Sequence, residues 1–378
     1  MEFHSLRIHL QHLILRGVEI LFSLLENPIL VSASTSFKAN PEKKFSVSER
    51  SKWVYLFQRE YVTVDPAFVD FVGTDEATTC VGVVIRNSRN GMTSVSHMDS
   101  PKIVEMGLSQ MLSLLVDNSL ETEFDVHLIG GFEEVSPQLN DGSIESENDE
   151  DLGGYSIPLC SKIVDTLCSR EEKFHIRTTC VLGHNTKRDS DGNTYPIFNG
   201  FVVETATGTV IPASFDRSSR CPDEIVRRIR VSVSYEDSSW NGKLLETYET
   251  ATDSFRISPC CWTRRQYHIA LSLQHYSDSE ILSICSTSPT AEGPDFVDDL
   301  RRKWNYIIEH PHWTETFPKR QPRIFTRSAD GKWKSYIIQD MKFSLRRNIC
   351  SHTISGSMQR GNFRSTGNCR EGTHTKFV

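Results

Sequence analysis

The feature that most restricts the fold is a pair of β-rich runs around one tight turn signal. Cys80-Val81-Gly82-Val83-Val84-Ile85 is followed by Asn90-Gly91 and then by Thr93-Ser94-Val95-Ser96-His97-Met98-Asp99. Apolar and β-branched runs separated by Asn-Gly predict an antiparallel hairpin. Further strand-like runs are 53–57, 61–64, 124–129, 174–182, 200–205 and 209–215. Asp330-Gly331 signals a second hairpin, between Phe325 and Trp333–Ile338. Apolar residues at helical spacing predict helices over 102–116, 157–168, 222–230 and 294–309, with a strand at 231–235 and a polar loop at 183–193. No βαβ rhythm of about 30 residues is present, so the expected class is α+β and not a doubly wound parallel sheet.

Net charge is −7, which argues against a general nucleic-acid binder. The ten cysteines contain no C-x-x-C pair, so neither a disulfide framework nor a zinc site is expected, and a reducing compartment is the simplest setting. No metal or cofactor is implied. Leu10, Leu13, Ile14, Val18, Leu21 and Leu25 recur at helical spacing, but Arg16, Glu19 and Glu26 make the run too polar and too short to span a bilayer.

Cys80 stands where the hydroxyl-rich segment 73–79 enters an apolar strand. Across a loop of even length, positions 80 and 97 point to the same face of the sheet. A loop over 86–91 would set them opposite each other with Cβ atoms about 5 Å apart. A tight two-residue turn at Asn90-Gly91 would separate them by roughly 13 Å. A Cys and a His in contact can act as nucleophile and general acid, the imidazolium lowering the thiol pKa. Spacing alone does not distinguish this from a buried structural cysteine. His127, His310, His312, Cys260, Cys261 and Cys285 read as structural.

Several segments together resemble a known family, the protein N-terminal asparagine amidohydrolases. They are Thr74-Asp75-Glu76-Ala77-Thr78-Thr79-Cys80, His97 with Asp99, and Val126-His127-Leu128-Ile129-Gly130-Gly131-Phe132. Arg256-Ile257-Ser258-Pro259 with Trp262, and Ser286-Thr287-Ser288-Pro289 followed by Phe296-Val297, continue the resemblance. It runs in order from about residue 30 to 340 and is closest to plant members. It implies conversion of an N-terminal Asn to Asp with release of ammonia, feeding the N-degron degradation pathway in the cytoplasm and also the nucleus. The implied partners are proteins or peptides with a free N-terminal Asn and other N-degron components, with no nucleic acid and no membrane.

A more distant similarity to the bacterial chemoreceptor glutamine deamidases implies a Cys80–His97–Thr74 triad. It also implies a strand-rich, β-sandwich-like core flanked by helices. Thr74 would orient His97 through its hydroxyl. A cationic α-amine calls for carboxylates, and Asp75 and Asp99 are the expected substrate-binding residues. The expected organisation is a helix-like leader over 1–30 and a single catalytic domain over 31–343, carrying an acidic loop insertion at about 138–154. A disordered basic tail over 344–378 completes it. The alternatives are a related thiol amidase acting on Gln and a non-catalytic regulatory module of the degradation pathway.

Overall fold

The computed structural model describes residues 17–46, 48–116, 122–134 and 154–336. The basic tail, nearly all of the acidic loop and the first sixteen positions of the leader lie outside the described residues. The chain begins with helices α1 (Gly17–Glu26) and α2 (Pro28–Ala39). Strands β1 (Lys43–Phe45), β2 (Trp53–Tyr55), β3 (Glu60–Val64), β4 (Phe71–Thr74), β5 (Val81–Asn87) and β6 (Thr93–Met98) follow. Next come α3 (Val104–Leu112), β7 (Glu123–Gly130), α4 (Ser156–Ser169) and β8 (Lys173–Val181). Then come β9 (Thr186–Arg188), β10 (Thr194–Pro196), β11 (Phe201–Glu204), β12 (Val210–Phe215) and α5 (Glu224–Ser234). The last part holds β13 (Leu245–Glu246), β14 (Tyr248–Glu249), β15 (Ser254–Ile257), α6 (Arg264–Leu273), α7 (Asp278–Cys285), α8 (Phe296–Glu309), α9 (Trp313–Thr316), β16 (Arg323–Arg327) and β17 (Trp333–Tyr336).

The fold is α+β, as the strand and helix patterns predict. A six-stranded sheet in the order β13-β3-β6-β5-β7-β8 holds the predicted hairpin at its centre. A five-stranded sheet in the order β1-β12-β11-β4-β2 faces it. Alternation along β5 decides the layering. Val81, Val83 and Ile85 join a core with Leu21, Leu24, Leu108, Leu159 and Ile163 from α1, α3 and α4. Val84, with Val62, Val95 and Ile129, joins a second core with Val72, Phe201 and Val203 of the facing sheet. Both faces of the central sheet are therefore buried, one under helices and one under the second sheet.

At Gly82 the two sheets come closest. A Cβ built there would lie 2.1 Å from Cε1 of Phe201. This contact requires a residue without a side chain, and Gly82 occupies the strand position directly opposite His97.

Asn27 closes α1 and also starts α2, its side chain accepting from the N–H groups of Ile29 and Leu30 at 3.0 and 3.4 Å. The two helices are bent by 67°, and no single described helix is long and apolar enough to cross a membrane. The part of the leader that is described is core material, since Ile20, Leu21 and Leu24 are buried.

Three local readings are corrected. Val231–Tyr235 is not a strand: α5 continues through Ser234, because Val226, Ile229 and Val233 fall on one buried helical face. The segment 183–193 is not plain loop, since it contains β9, which pairs with β10 just after it. The Ser/Thr-rich helix α2 gave no periodic signal. It is held by Phe37 in the core and by the Ser34 hydroxyl donating to the Thr179 carbonyl at 3.0 Å.

Gly82→Ala should lower stability by about 1–3 kcal/mol through overpacking against Phe201. Chemical denaturation of Gly82→Ala, Phe201→Leu and the double variant checks this. The double variant should recover part of the loss, giving a coupling energy of favourable sign.

Candidate active site

β4 ends at Thr74, and the following loop carries residues 75–80 back to the start of β5. Thr74 Oγ1 lies 2.7 Å from His97 Nδ1 and 3.3 Å from the Asp75 carbonyl oxygen, to which the hydroxyl donates. An oxygen whose hydrogen points to a carbonyl accepts from Nδ1–H, which leaves the lone pair of the imidazole on Nε2. Nε2 is buried and has no hydrogen-bond partner among the described residues. Thr74 and His97 are 0% and 1% exposed.

The register corrects the expected Cys80–His97 alignment. Asn87 N–H donates to the Met92 carbonyl, so residues 88–91 form the connection. Val81 then pairs with Met98 and Gly82 with His97. The loop length is even, but Cys80 sits one pleat repeat beyond the position opposite His97. The relation is diagonal, a placement still within reach across a sheet.

Gly130 and Gly131 hold Cys80 in place. Gly131 N–H donates to the Cys80 carbonyl at 2.8 Å. Gly130 has φ +111°, and a Cβ on it would stand 2.6 Å from the same carbonyl. The Gly-Gly pair is thus a steric requirement of packing β7 against the backbone of Cys80.

The loop between Thr74 and Cys80 is tied on all sides. Ala77 N–H donates to the Asn199 carbonyl at 2.8 Å, and the Thr79 and Thr287 hydroxyls meet at 3.1 Å. That second contact brings the Ser286–Pro289 turn to the residue next to Cys80.

The two expected amine-binding carboxylates differ sharply. Asp75 is buried and its oxygens accept from Tyr55 OH at 2.8 Å, Phe215 N–H at 2.8 Å and Arg220 Nη2 at 3.1 Å. Asp99 accepts from Tyr235 OH at 2.5 Å through Oδ2, while its buried Oδ1 has no partner among the described residues. Of the two, only Asp99 has a carboxylate oxygen to spare.

Burial controls the protonation of the pair. It lowers His97 to about 4, against a smaller opposing pull from Glu76. It pushes the Cys80 thiol well above its ordinary value, and the charges of Asp99, Glu292 and Glu134 act in the same direction. Burial therefore works against both members of the expected thiolate–imidazolium pair. Sequence reasoning missed Tyr235 because it fell in a segment read as a strand. It missed Glu292 because nothing in the local pattern ties that residue to Cys80.

A family model described as protein N-terminal asparagine amidohydrolase matches residues 43–335. A protein of that name from Arabidopsis thaliana is 56% identical over 84% of this chain and 93% of its own length. The chain belongs to the protein N-terminal asparagine amidohydrolase family. Members from Sus scrofa and Homo sapiens are 30% and 28% identical, each over 74% of this chain and 83% of their own length. The matched span of the amidohydrolase family model includes Thr74, Cys80, His97, Asp99, the Gly-Gly pair and Glu292.

The His97 imidazole should remain neutral down to pH values well below an ordinary histidine. The unfolded chain takes up this proton near 6.5, the folded one only near 4. Between these values the unfolded state binds more protons, so acidification through that window removes stability. NMR titration of the His97 ring checks the midpoint, and a His97→Gln variant should lose that part of the acid sensitivity.

Proposed function

We propose that this amidohydrolase converts the side chain of an N-terminal Asn to Asp with release of ammonia, using Cys80 as nucleophile. The observation that carries the reading is the Thr74–His97 hydrogen bond, which leaves Nε2 buried and without a partner among the described residues, on the strand next to the one that Cys80 leads into. As the sulfur attacks the side-chain amide carbon, the thiol proton passes to His97 Nε2 and the carbonyl π pair moves onto oxygen. The Cys80 backbone N–H is the natural candidate donor for that oxyanion. His97 then gives its proton to the leaving nitrogen, the C–N bond breaks, and ammonia departs from a thioester. Water, deprotonated by His97, adds to the thioester and releases the Asp carboxyl group and the Cys80 thiol.

Asp99 supplies the carboxylate for the substrate's α-ammonium, and Asp75 anchors the catalytic loop from behind. A product with N-terminal Asp fits a role in marking proteins for degradation, with N-degron components as partners in the cytoplasm and nucleus.

Ammonia release from otherwise identical Asn-, Gln- and acetyl-Asn-peptides tests the reading. Cys80→Ala should abolish activity without unfolding the protein, and residual turnover by that variant would remove Cys80 from the mechanism. Thr74→Val should lower kcat by about 10²–10⁴-fold, the usual worth of a positioned acid–base group. The extra methylene of Gln should cost about 1–3 kcal/mol. Acetylation should cost at least as much, because it leaves a buried carboxylate unpaired. An acetylated peptide that reacts as fast as the free one would make the protein a general side-chain amidase.

A further inference from the structure

Asp99 follows the last residue of β6, and the strand register places it. Val81 pairs with Met98 and Gly82 with His97. Carried one residue further, that register sets Asp99 directly across from Cys80, on the sheet face that His97 shares. The backbone thus delivers a carboxylate beside the nucleophile. A carboxylate on so short a stem still turns about its last bond, so its direction depends on what holds it.

One oxygen is committed. Tyr235 Oη donates to Asp99 Oδ2 at 2.5 Å, while Oδ1 is buried and has no partner among the described residues. The phenol is held in turn from two sides. Gln58 Nε2 donates to Tyr235 Oη at 3.1 Å, which occupies a lone pair of that oxygen and leaves its hydrogen for Asp99. The Arg59 guanidinium lies 4.6 Å from the centre of the Tyr235 ring. Arg59 also donates its backbone N–H to the His97 carbonyl and accepts from Leu245 N–H, each at 2.8 Å. The residue that backs the ring is therefore tied to the strand that carries His97. Tyr235 itself closes α5 and belongs to neither of the two cores described above; it is 39% exposed. Apolar burial does not account for its position, whereas its bond to Asp99 does.

We propose that Tyr235 is the positioning residue of the amine site: by holding Oδ2 of Asp99 it turns Oδ1 toward the α-ammonium of the substrate, beside Cys80. This rests on the deamidase reading above, in which Asp99 receives the ammonium, and adds to it the residue that sets selectivity for a free N-terminus. A neutral phenol suits the task, because it orients the carboxylate without cancelling the negative charge that an ammonium calls for. Without the hydroxyl, Oδ2 loses its donor and the group is free to turn, so the same charge is offered in a poorer direction. The effect belongs to binding of the amine. Proton transfer between Cys80 and His97 does not pass through Tyr235.

The test measures peptide binding by calorimetry on Cys80→Ala protein, which separates binding from turnover. The probes are a short peptide beginning with Asn and its N-acetyl form. Adding Tyr235→Phe, which removes only the hydroxyl and keeps the ring on Arg59, should raise Kd for the free peptide about tenfold, the worth of one charge-assisted hydrogen bond. Binding of the acetylated peptide should stay within about twofold, since it brings no ammonium. Asp99→Asn should weaken the free peptide at least as much, and Tyr235→Phe added to it should change Kd by less than about twofold, because the two residues act through one oxygen. In the active enzyme the loss should fall on KM for the Asn peptide, with kcat changed by less than about threefold. Gln58→Ala, which unties the phenol from its other side, should raise Kd for the free peptide in the same direction by a smaller factor.

The proposal is overturned if Tyr235→Phe binds the free peptide as tightly as its parent, or if it weakens the free and acetylated peptides equally, as a merely structural change would. It is equally overturned if the loss persists in full once Asp99 is already Asn. Unchanged binding by Asp99→Asn would remove Asp99 from the amine site and this proposal with it. Absence of ammonia release from any Asn peptide by the wild-type enzyme would instead overturn the deamidase reading.

Discussion

The site depends on a largely buried ion cluster behind it. Arg220 reaches Asp75 Oδ2 at 3.1 Å and Glu76 Oε1 at 2.5 Å, and Arg228 reaches Glu76 Oε2 at 3.0 Å and Asp299 Oδ2 at 2.8 Å. Through Asp299 the cluster joins the catalytic loop to α8, and through Arg228 to α5. Glu76 has φ +61°, a backbone state that a non-glycine residue holds only when its surroundings impose it. The pairs with Arg220 and Arg228 hold it, while Thr74, two residues earlier, is placed by the pairing of β4 with Phe201 of β11. Burial and the adjacent Glu76 charge push Asp75 up, so its ionised form depends on Arg220 and on the N–H of Phe215. Removing one partner of such a cluster leaves an uncompensated buried charge, a loss of about 3–5 kcal/mol. The loop from Thr74 to Cys80 is thus anchored from behind by charges, while the imidazole itself is oriented by the Thr74 hydroxyl.

The same burial works against ionisation of Cys80. A dry site penalises both charged forms, and the nearby acids penalise the thiolate further. The arrangement differs from a nucleophile kept ionised by a permanent cation. In the proposed reaction the Thr74–His97 hydrogen bond presets the imidazole tautomer, and the proton passes as the carbon–sulfur bond forms. Gly82 lets Phe201 approach the strand position opposite His97, and the Gly130-Gly131 clasp sets the backbone of Cys80.

Much of the scaffold was readable from residue patterns. The hairpin signals at Asn90-Gly91 and Asp330-Gly331 mark real antiparallel pairs, β5/β6 and β16/β17. The helices at 104–112, 156–169 and 296–309 follow their apolar spacing. The failures have local causes. β-branched residues in Val231-Ser232-Val233-Ser234 favour a strand, but tertiary burial of Val226, Ile229 and Val233 on one face makes a helix. Hairpin register was off by one pleat repeat because an Asn-Gly pair does not say how many residues join it to the strands. For the site, Cys80, His97 and Thr74 were named through a family resemblance, and geometry then supplied the hydrogen bond between the last two. Glu292 and Tyr235 were invisible because their proximity to Cys80 is created by long-range packing, through Thr79–Thr287 and Asp99–Tyr235.

The central claim, that Cys80 attacks a side chain presented by a residue with a free α-amine, is tested most directly by affinity labelling. A peptide whose N-terminal residue carries a chloromethyl ketone in place of the Asn side-chain amide places an electrophile where the amide carbon would sit. The account predicts a single stoichiometric label on Cys80, lost in Cys80→Ala and strongly slowed when the peptide is N-acetylated. Labelling of another residue, or equal labelling by the acetylated peptide, would contradict it.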